Sequence, residues 1–210
     1  MLVGLSIVVT WLILVFVSAV LIKKKWPQQQ ELSRKVVHIG AGFALPLAWC
    51  TEIPLFIALP AAAIASLLAL INHRWRILAS IEDVGRFSYG TVAYGASITI
   101  LLALYWPERA DLVCAAVLTM ALADGLAGLL GANFSSHRWQ IFGQTKSIIG
   151  TATMALVTLL VLTLLLPNLS WYAVIAIAIT ATILEQFSWA GLDNFTVPLL
   201  VGAMGTWLRG

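Results

Sequence analysis

Asp124 and Glu185 are carboxylates inside apolar runs. Asp124 lies within Leu112–Leu130, and Glu185 lies near the end of Trp171–Trp189. A charged side chain at the centre of a membrane helix costs about 2.5–3.5 kcal/mol on insertion scales, so such residues are rare and tend to be functional. Asp124 sits among small residues, Ala121, Ala127, Gly128 and Gly131, which helical spacing places on one stripe. Small residues let a backbone or a ligand come close. A carboxylate in such a groove suits a hard metal ion, which takes oxygen ligands and often arrives with phosphates. The plain alternative is helix packing around one neutralised Asp.

Four other clusters carry polar chemistry. Arg34, Lys35 and His38 open an apolar run, with Arg34, His38 and Gly42 at i,i+4 spacing. They suit anion binding or proton handling, or a snorkelling basic pair beside a hydrogen-bonded His. Glu82 and Arg86 are also i,i+4 and precede Ser88-Tyr89-Gly90-Thr91. This reads as substrate contact or as a solvated ion pair. Gly143 to Thr151 reads as a glycine-flanked loop with Lys146 and Ser147 at a helix start, where free N–H groups favour phosphate. It lacks the glycine spacing of a Walker A loop. Asp193-Asn194 after Gly191 is turn chemistry that adds a carboxylate and an amide near Glu185. Carboxylates with Lys and Arg at one face fit metal-assisted phosphoryl transfer.

The elements that position these residues are membrane spans. The 210-residue chain is 61% hydrophobic and 10% charged, with mean hydropathy +0.97, against roughly 25% charge in soluble domains. The expected fold is an all-α polytopic bundle of seven to eight spans with short loops. The spans are Val3–Ile22, Val36–Cys50, Ile53–Ile71, Gly90–Trp106, Leu112–Leu130, Ile148–Leu166 and Trp171–Trp189. Phe195–Leu208, with Pro198, Gly202 and Gly205, is either a thin eighth span or a re-entrant hairpin. Val3–Ile22 ends in three lysines and lacks a basic start, so it reads as a retained span. Cys50 and Cys114 are isolated and read as small core residues.

Alternating the loops puts ten Lys and Arg residues on one side and only Arg109 and Arg209 on the other. The first side is then cytoplasmic, and it holds nearly every polar cluster, so the site is expected there. The basic residues sit at span ends, which argues against nucleic acid as a partner. One domain, 1–210, is expected, with 1–25 peripheral and the motifs in 34–200.

Five patterns occur in order: Arg-Lys-x-x-His, Gly-Thr-x-x-Tyr, Ala-x-x-Asp-Gly-x-Ala-Gly-x-x-Gly, Lys-Ser-x-x-Gly-Thr and Glu-x-x-Ser-x-x-Gly-x-Asp-Asn-x-x-Val-Pro. Together they resemble the CTP-dependent polyprenol kinases, closest to the phytol kinases. The resemblance implies phosphate transfer from CTP to a lipid alcohol, with Mg²⁺ as cofactor, in a plasma or thylakoid membrane. It implies that Asp124, His38 and Glu185 are catalytic. Asp124, Glu185 and Asp193 would hold metal. Arg34, Lys35, Lys146, Ser147, Gly150 and Gly128 would bind nucleotide or phosphate. Glu82, Arg86, Tyr89, Tyr94 and Asn194 are expected at the substrate. One departure stands out: Ile149 occupies a position where many relatives carry Glu, which implies fewer carboxylates here if that Glu binds metal, or else lower activity or a different substrate.

Three rivals remain at this level. A kinase of another lipid alcohol, or a lipid-phosphate cytidylyltransferase, would use the same residues; product analysis separates them. A small transporter would also use buried carboxylates, but often shows two similar halves, and no internal repeat is visible here. An inactive scaffold would accommodate Ile149.

Overall fold

The computed structural model describes residues 1–75 and 88–209. Glu82 and Arg86 lie outside these residues. The chain is nearly all helical. In order it forms α1 (Leu2–Lys25), α2 (Gln30–Gly42), α3 (Ala44–Cys50), α4 (Leu55–Trp75), α5 (Gly90–Tyr105) and α6 (Ala110–Leu118). A π-helical turn (Thr119–Asp124) then leads into α7 (Gly125–Asn133). Strands β1 (Arg138–Ile141) and β2 (Gln144–Ser147) follow, then α8 (Ile148–Leu165), α9 (Trp171–Gln186) and α10 (Asp193–Trp207).

Large apolar side chains point outward along these helices, including Leu12, Phe56, Ile64, Leu67, Leu156, Leu160 and Ile179. In water such a surface would aggregate; in a bilayer it meets lipid. Among the described residues, four helices are long and apolar enough to cross a membrane: α1, α4, the continuous α6–α7 helix and α8. α5 and α9 are apolar but shorter.

The α6–α7 helix is the axis of the bundle. All of α6 except Asp111 is buried, and α2, α5, α8 and α10 pack around it. Its own Leu112, Val113 and Met120 are fully buried against Met154, Leu162, Ile177, Val197 and Val201 of the helices around it. α1 lies at the edge, buried only at Gly4, Val15 and Ala19. It is fastened to α2 where Ser33 Oγ donates to Ala19 O at 2.9 Å and Trp11 Nε1 donates to Gly40 O at 2.8 Å.

Contacts between elements sort to two ends of the bundle. At one end Gly4 meets Thr51, Trp106 Nε1 donates to Ile53 O, and Arg209 pairs with Asp111 at 3.3 Å. At the other end Tyr89 N donates to Ala190 O at 2.9 Å. Gly191 there has φ +83, and a Cβ on it would lie 2.7 Å from the Gly90 backbone. Both its conformation and the close approach of α5 therefore call for glycine.

Several sequence expectations change. The connection expected as a glycine-flanked loop is an antiparallel hairpin, pairing Trp139 with Lys146 and Ile141 with Gln144. Its two turn residues, Phe142 and Gly143, have φ +47 and +74. That is the type I′ pattern matching strand twist, reached without the usual Asn-Gly signal. The all-α expectation becomes a helical bundle with one small hairpin. Phe195–Leu208 is not a re-entrant hairpin: α10 runs unbroken through Pro198, whose ring sits in the first turns. The second expected span is two helices, α2 and α3, meeting at Phe43.

Candidate functional site

Five separate elements bring polar groups to the end of the bundle where α5 begins. α2 supplies Arg34 and Lys35, the π turn ends in Asp124, and β2 ends in Lys146 and Ser147. α9 ends in Glu185 and Gln186, and α10 begins with Asp193 and Asn194. They line a cavity of about 670 Å³, a volume usual for small-molecule sites.

The carboxylates and lysines form pairs. Lys35 Nζ donates to Asp124 Oδ2 at 2.7 Å and to Asp124 O at 3.1 Å. Lys146 Nζ donates to Glu185 Oε1, and at 2.8 Å to Glu185 O. Gln186 Nε2 donates to the other Glu185 oxygen at 2.8 Å and to Thr151 Oγ1 at 2.9 Å. Breaking a buried ion pair from one side leaves an uncompensated charge, typically costing about 3–5 kcal/mol, so each lysine and its carboxylate hold one another in place.

The π turn explains how Asp124 is held. A π turn widens the helix and often occurs at functional sites. Its carbonyls are reached by two side chains one turn apart on α2. Lys35 takes Asp124 O, while His38 Nε2 lies 3.3 Å from Met120 O. His38 Nε2 is also 3.7 Å from Asp124 Oδ2, and its ring lies 4.4 Å from that of Tyr94. His38 and Tyr94 therefore sit behind Asp124, outside the cavity lining. Tyr94 Oη is buried without a partner among the described residues.

The small residues turn out to serve packing on both sides. A Cβ on Gly128 would lie 3.0 Å from Lys35 Cε and Nζ. One on Gly125 would strike Ile39, and one on Gly131 would lie 2.7 Å from Ser147 Oγ and 3.3 Å from Gly150 Cα. The stripe lines the cavity beside Asp124 through Ala127, Gly128 and Gly131, and it also fits α2 and α8 against the axis. Ser147 caps α8, its Oγ accepting from Gly150 N at 3.1 Å, as N-cap serines do.

The other expected residues fall as follows. Arg34 lines the cavity and pairs with Glu31 at 2.8 Å. Asn194 lines it too, with Oδ1 buried and unpartnered among the described residues. Tyr89 packs its ring 4.8 Å from that of His73 and does not line the cavity. Ile149 is absent from the lining, so the departure there leaves the three carboxylates intact. Arg138 was not anticipated; it donates to Ala132 O at 3.0 Å and so closes the end of α7. Gln186 and Thr151 were not anticipated either.

Asp124, Glu185 and Asp193 present carboxylate oxygens within 4.8 Å of one another. Asp193 is buried, and its Oδ1 has no partner among the described residues. An orphaned buried carboxylate oxygen beside two others fits a hard divalent cation.

Over 216 residues the chain is 37% identical to a phytol kinase of Synechocystis sp., covering 98% of this chain and 93% of the relative. The chain belongs to the phytol kinase family. Two more distant relatives agree with that placement. A dolichol kinase of Arabidopsis thaliana is 26% identical over 93% of this chain and 39% of its own length. A probable chloroplastic phytol kinase of Triticum aestivum is 25% identical over 81% and 65%. No protein-family model matches the chain, and no solved structure matches it. As a member of the phytol kinase family, the chain has the relationship that its ordered patterns led one to expect.

Proposed function

We propose that this protein is an integral membrane kinase that transfers the terminal phosphoryl group of CTP to the hydroxyl of an isoprenoid alcohol, with phytol as the favoured acceptor. The observation that carries this reading is the convergence of three carboxylates and two lysines in one cavity, in a chain 37% identical to a phytol kinase. Phosphoryl transfer asks little covalent chemistry of a protein. It needs positioning and charge stabilisation of a loose transition state.

The roles follow from placement. Lys35, Lys146 and Arg34 line the cavity and provide positive charge for the phosphates. Asp124, Glu185 and Asp193 would hold Mg²⁺, which when bound supplies Lewis-acid charge to the transferring group. Gln186 fixes the orientation of Glu185. His38 is a positioning residue, acting through Asp124 and the widened turn. The alcohol oxygen forms the new bond to phosphorus, CDP departs, and the hydroxyl proton leaves to water or a carboxylate. A strong general base contributes little when the transition state is loose.

Loop alternation along the sequence assigns ten of the twelve Lys and Arg residues to one side, the side of Arg34, Lys35 and Lys146, which supports a cytoplasmic site. In this reading α2 and α3 together make one span and α10 a thin last one, giving eight.

The test uses purified protein, CTP labelled at the terminal phosphate, and phytol, geranylgeraniol, dolichol and diacylglycerol in turn. Label should move to phytol with release of CDP. Pyrophosphate release with a cytidylyl lipid would make the protein a cytidylyltransferase. ATP supporting phytol phosphorylation far better than CTP would refute the donor.

A further inference from the structure

Two of the three cavity carboxylates already hold a cation belonging to the chain. Lys35 Nζ sits 2.7 Å from Asp124 Oδ2, and Lys146 Nζ bonds Glu185 Oε1. Both ammonium groups also take a carbonyl oxygen of the same residue they pair with. Asp193 differs: it is 7% exposed, and its Oδ1 is unpartnered among the described residues. With Glu31, Arg34 and Arg138, which line the same cavity, the positive and negative side chains are equal in number, so the charges balance.

That balance is set for the chain alone and changes with what enters. A divalent cation arriving by itself leaves two positive charges in excess. It also competes with each ammonium for the same carboxylate oxygen, at distances where like charges repel strongly. A polyphosphate reverses both problems. It brings several negative charges and offers each lysine a new partner. The carboxylates then become free for a metal.

We propose that Lys35 and Lys146 are place-holding cations: they occupy Asp124 and Glu185 until a polyphosphate draws them off, so divalent metal loads with the nucleotide and not ahead of it. This rests on the reading of the cavity as a metal–nucleotide site. Gly128 is part of the device. A Cβ there would lie 3.0 Å from Lys35 Nζ, so glycine leaves the ammonium space beside the axis.

The experiment measures Mn²⁺ binding to the purified protein in lipid nanodiscs, by the paramagnetic resonance of free Mn²⁺. It reads binding and not turnover. Wild-type protein should bind Mn²⁺ at least ~10-fold more tightly when saturated with a non-transferable CTP analogue, within the range usual for coupled sites; Mn²⁺ held by free analogue is subtracted with a protein-free blank. Without analogue, Lys35→Met and Lys146→Met should each bind Mn²⁺ about 10-fold more tightly than wild type. Lys25→Met, at the end of α1, removes the same charge from a residue that does not line the cavity and should change nothing. Equal Mn²⁺ affinity in wild type with and without analogue overturns the proposal, and this comparison needs no variant to fold. Weaker Mn²⁺ binding in the folded lysine variants also overturns it. Absence of Mn²⁺ binding in every sample refutes the metal–nucleotide reading itself.

Discussion

At the scale of residues, Asp124 and Asp193 predict opposite balances of stability and activity. Asp124→Asn keeps size and polarity but removes the charge facing Lys35, which retains Asp124 O at 3.1 Å. The variant should insert but lose stability, because Lys35 is left without its counter-ion, and its turnover should fall by at least ~100-fold, since losing one preorganised electrostatic group costs about 2.7–4 kcal/mol. Equal turnover at equal membrane abundance would reduce Asp124 to a packing residue. Asp193 carries a buried oxygen without a partner, so its charge costs stability in the empty site. Asp193→Asn should leave the thermal midpoint in detergent unchanged or raised while lowering turnover; a lowered midpoint with normal activity would contradict this. The buried carboxylates could be read directly because a charge in an apolar run is conspicuous. Their lysine partners could not. Lys35 and Asp124 are 89 residues apart, and Lys146 and Glu185 are 39 apart; no local spacing rule reaches that far. Gln186 escaped for a different reason. Adjacent helical residues point about 100° apart, so its role depends on the last turn of α9, where the chain leaves the helix.

At the scale of elements, helix existence was legible and local geometry was not. Apolar runs bounded by charges or prolines marked the helices, since length and hydropathy suffice for that. The π turn was invisible, because a stripe counted at ordinary helical spacing assumes no change of register. That stripe grouped Gly128 with Gly131, whereas the structure turns them to different neighbours. Substitutions separate the two. Gly131→Ala sets a Cβ 2.7 Å from Ser147 Oγ and 3.3 Å from the Gly150 backbone. It should lower thermal stability by about 1–3 kcal/mol, the usual cost of overpacking. Gly128→Ala meets only the flexible end of Lys35. It should fold with near-normal stability and shift nucleotide affinity instead. Similar destabilisation by both would mean that the two glycines share one packing role. The hairpin was missed because Phe142-Gly143 is not a strong turn dipeptide and because strands of four residues carry little pattern.

At the scale of the whole molecule, the Lys and Arg asymmetry predicts sidedness. α8 spans 18 residues, about 27 Å at 1.5 Å per residue, between the hairpin and the connection at Asn168. Gln140 on the hairpin and Asn168 are both exposed, whereas Asn72 is buried and would make a poor probe. A cysteine at Gln140 should react with an impermeant thiol reagent only from the cytoplasmic side, and one at Asn168 only from the opposite side. Labelling of both from one side would remove the basis for a cytoplasmic site. Family membership was legible because five short patterns recur in order over most of the chain, each weak alone.

The long separation of the paired charges also has a consequence for synthesis. A chain made from its N-terminus produces Lys35 well before Asp124, and Lys146 before Glu185. In each pair the cation precedes its anion. A lysine has a long aliphatic stem and can keep its ammonium at the headgroup level while it waits. A carboxylate on a short stem has no such reach. Nascent helices therefore enter the bilayer with the charge that tolerates delay, and each acid arrives to find its counter-ion already made.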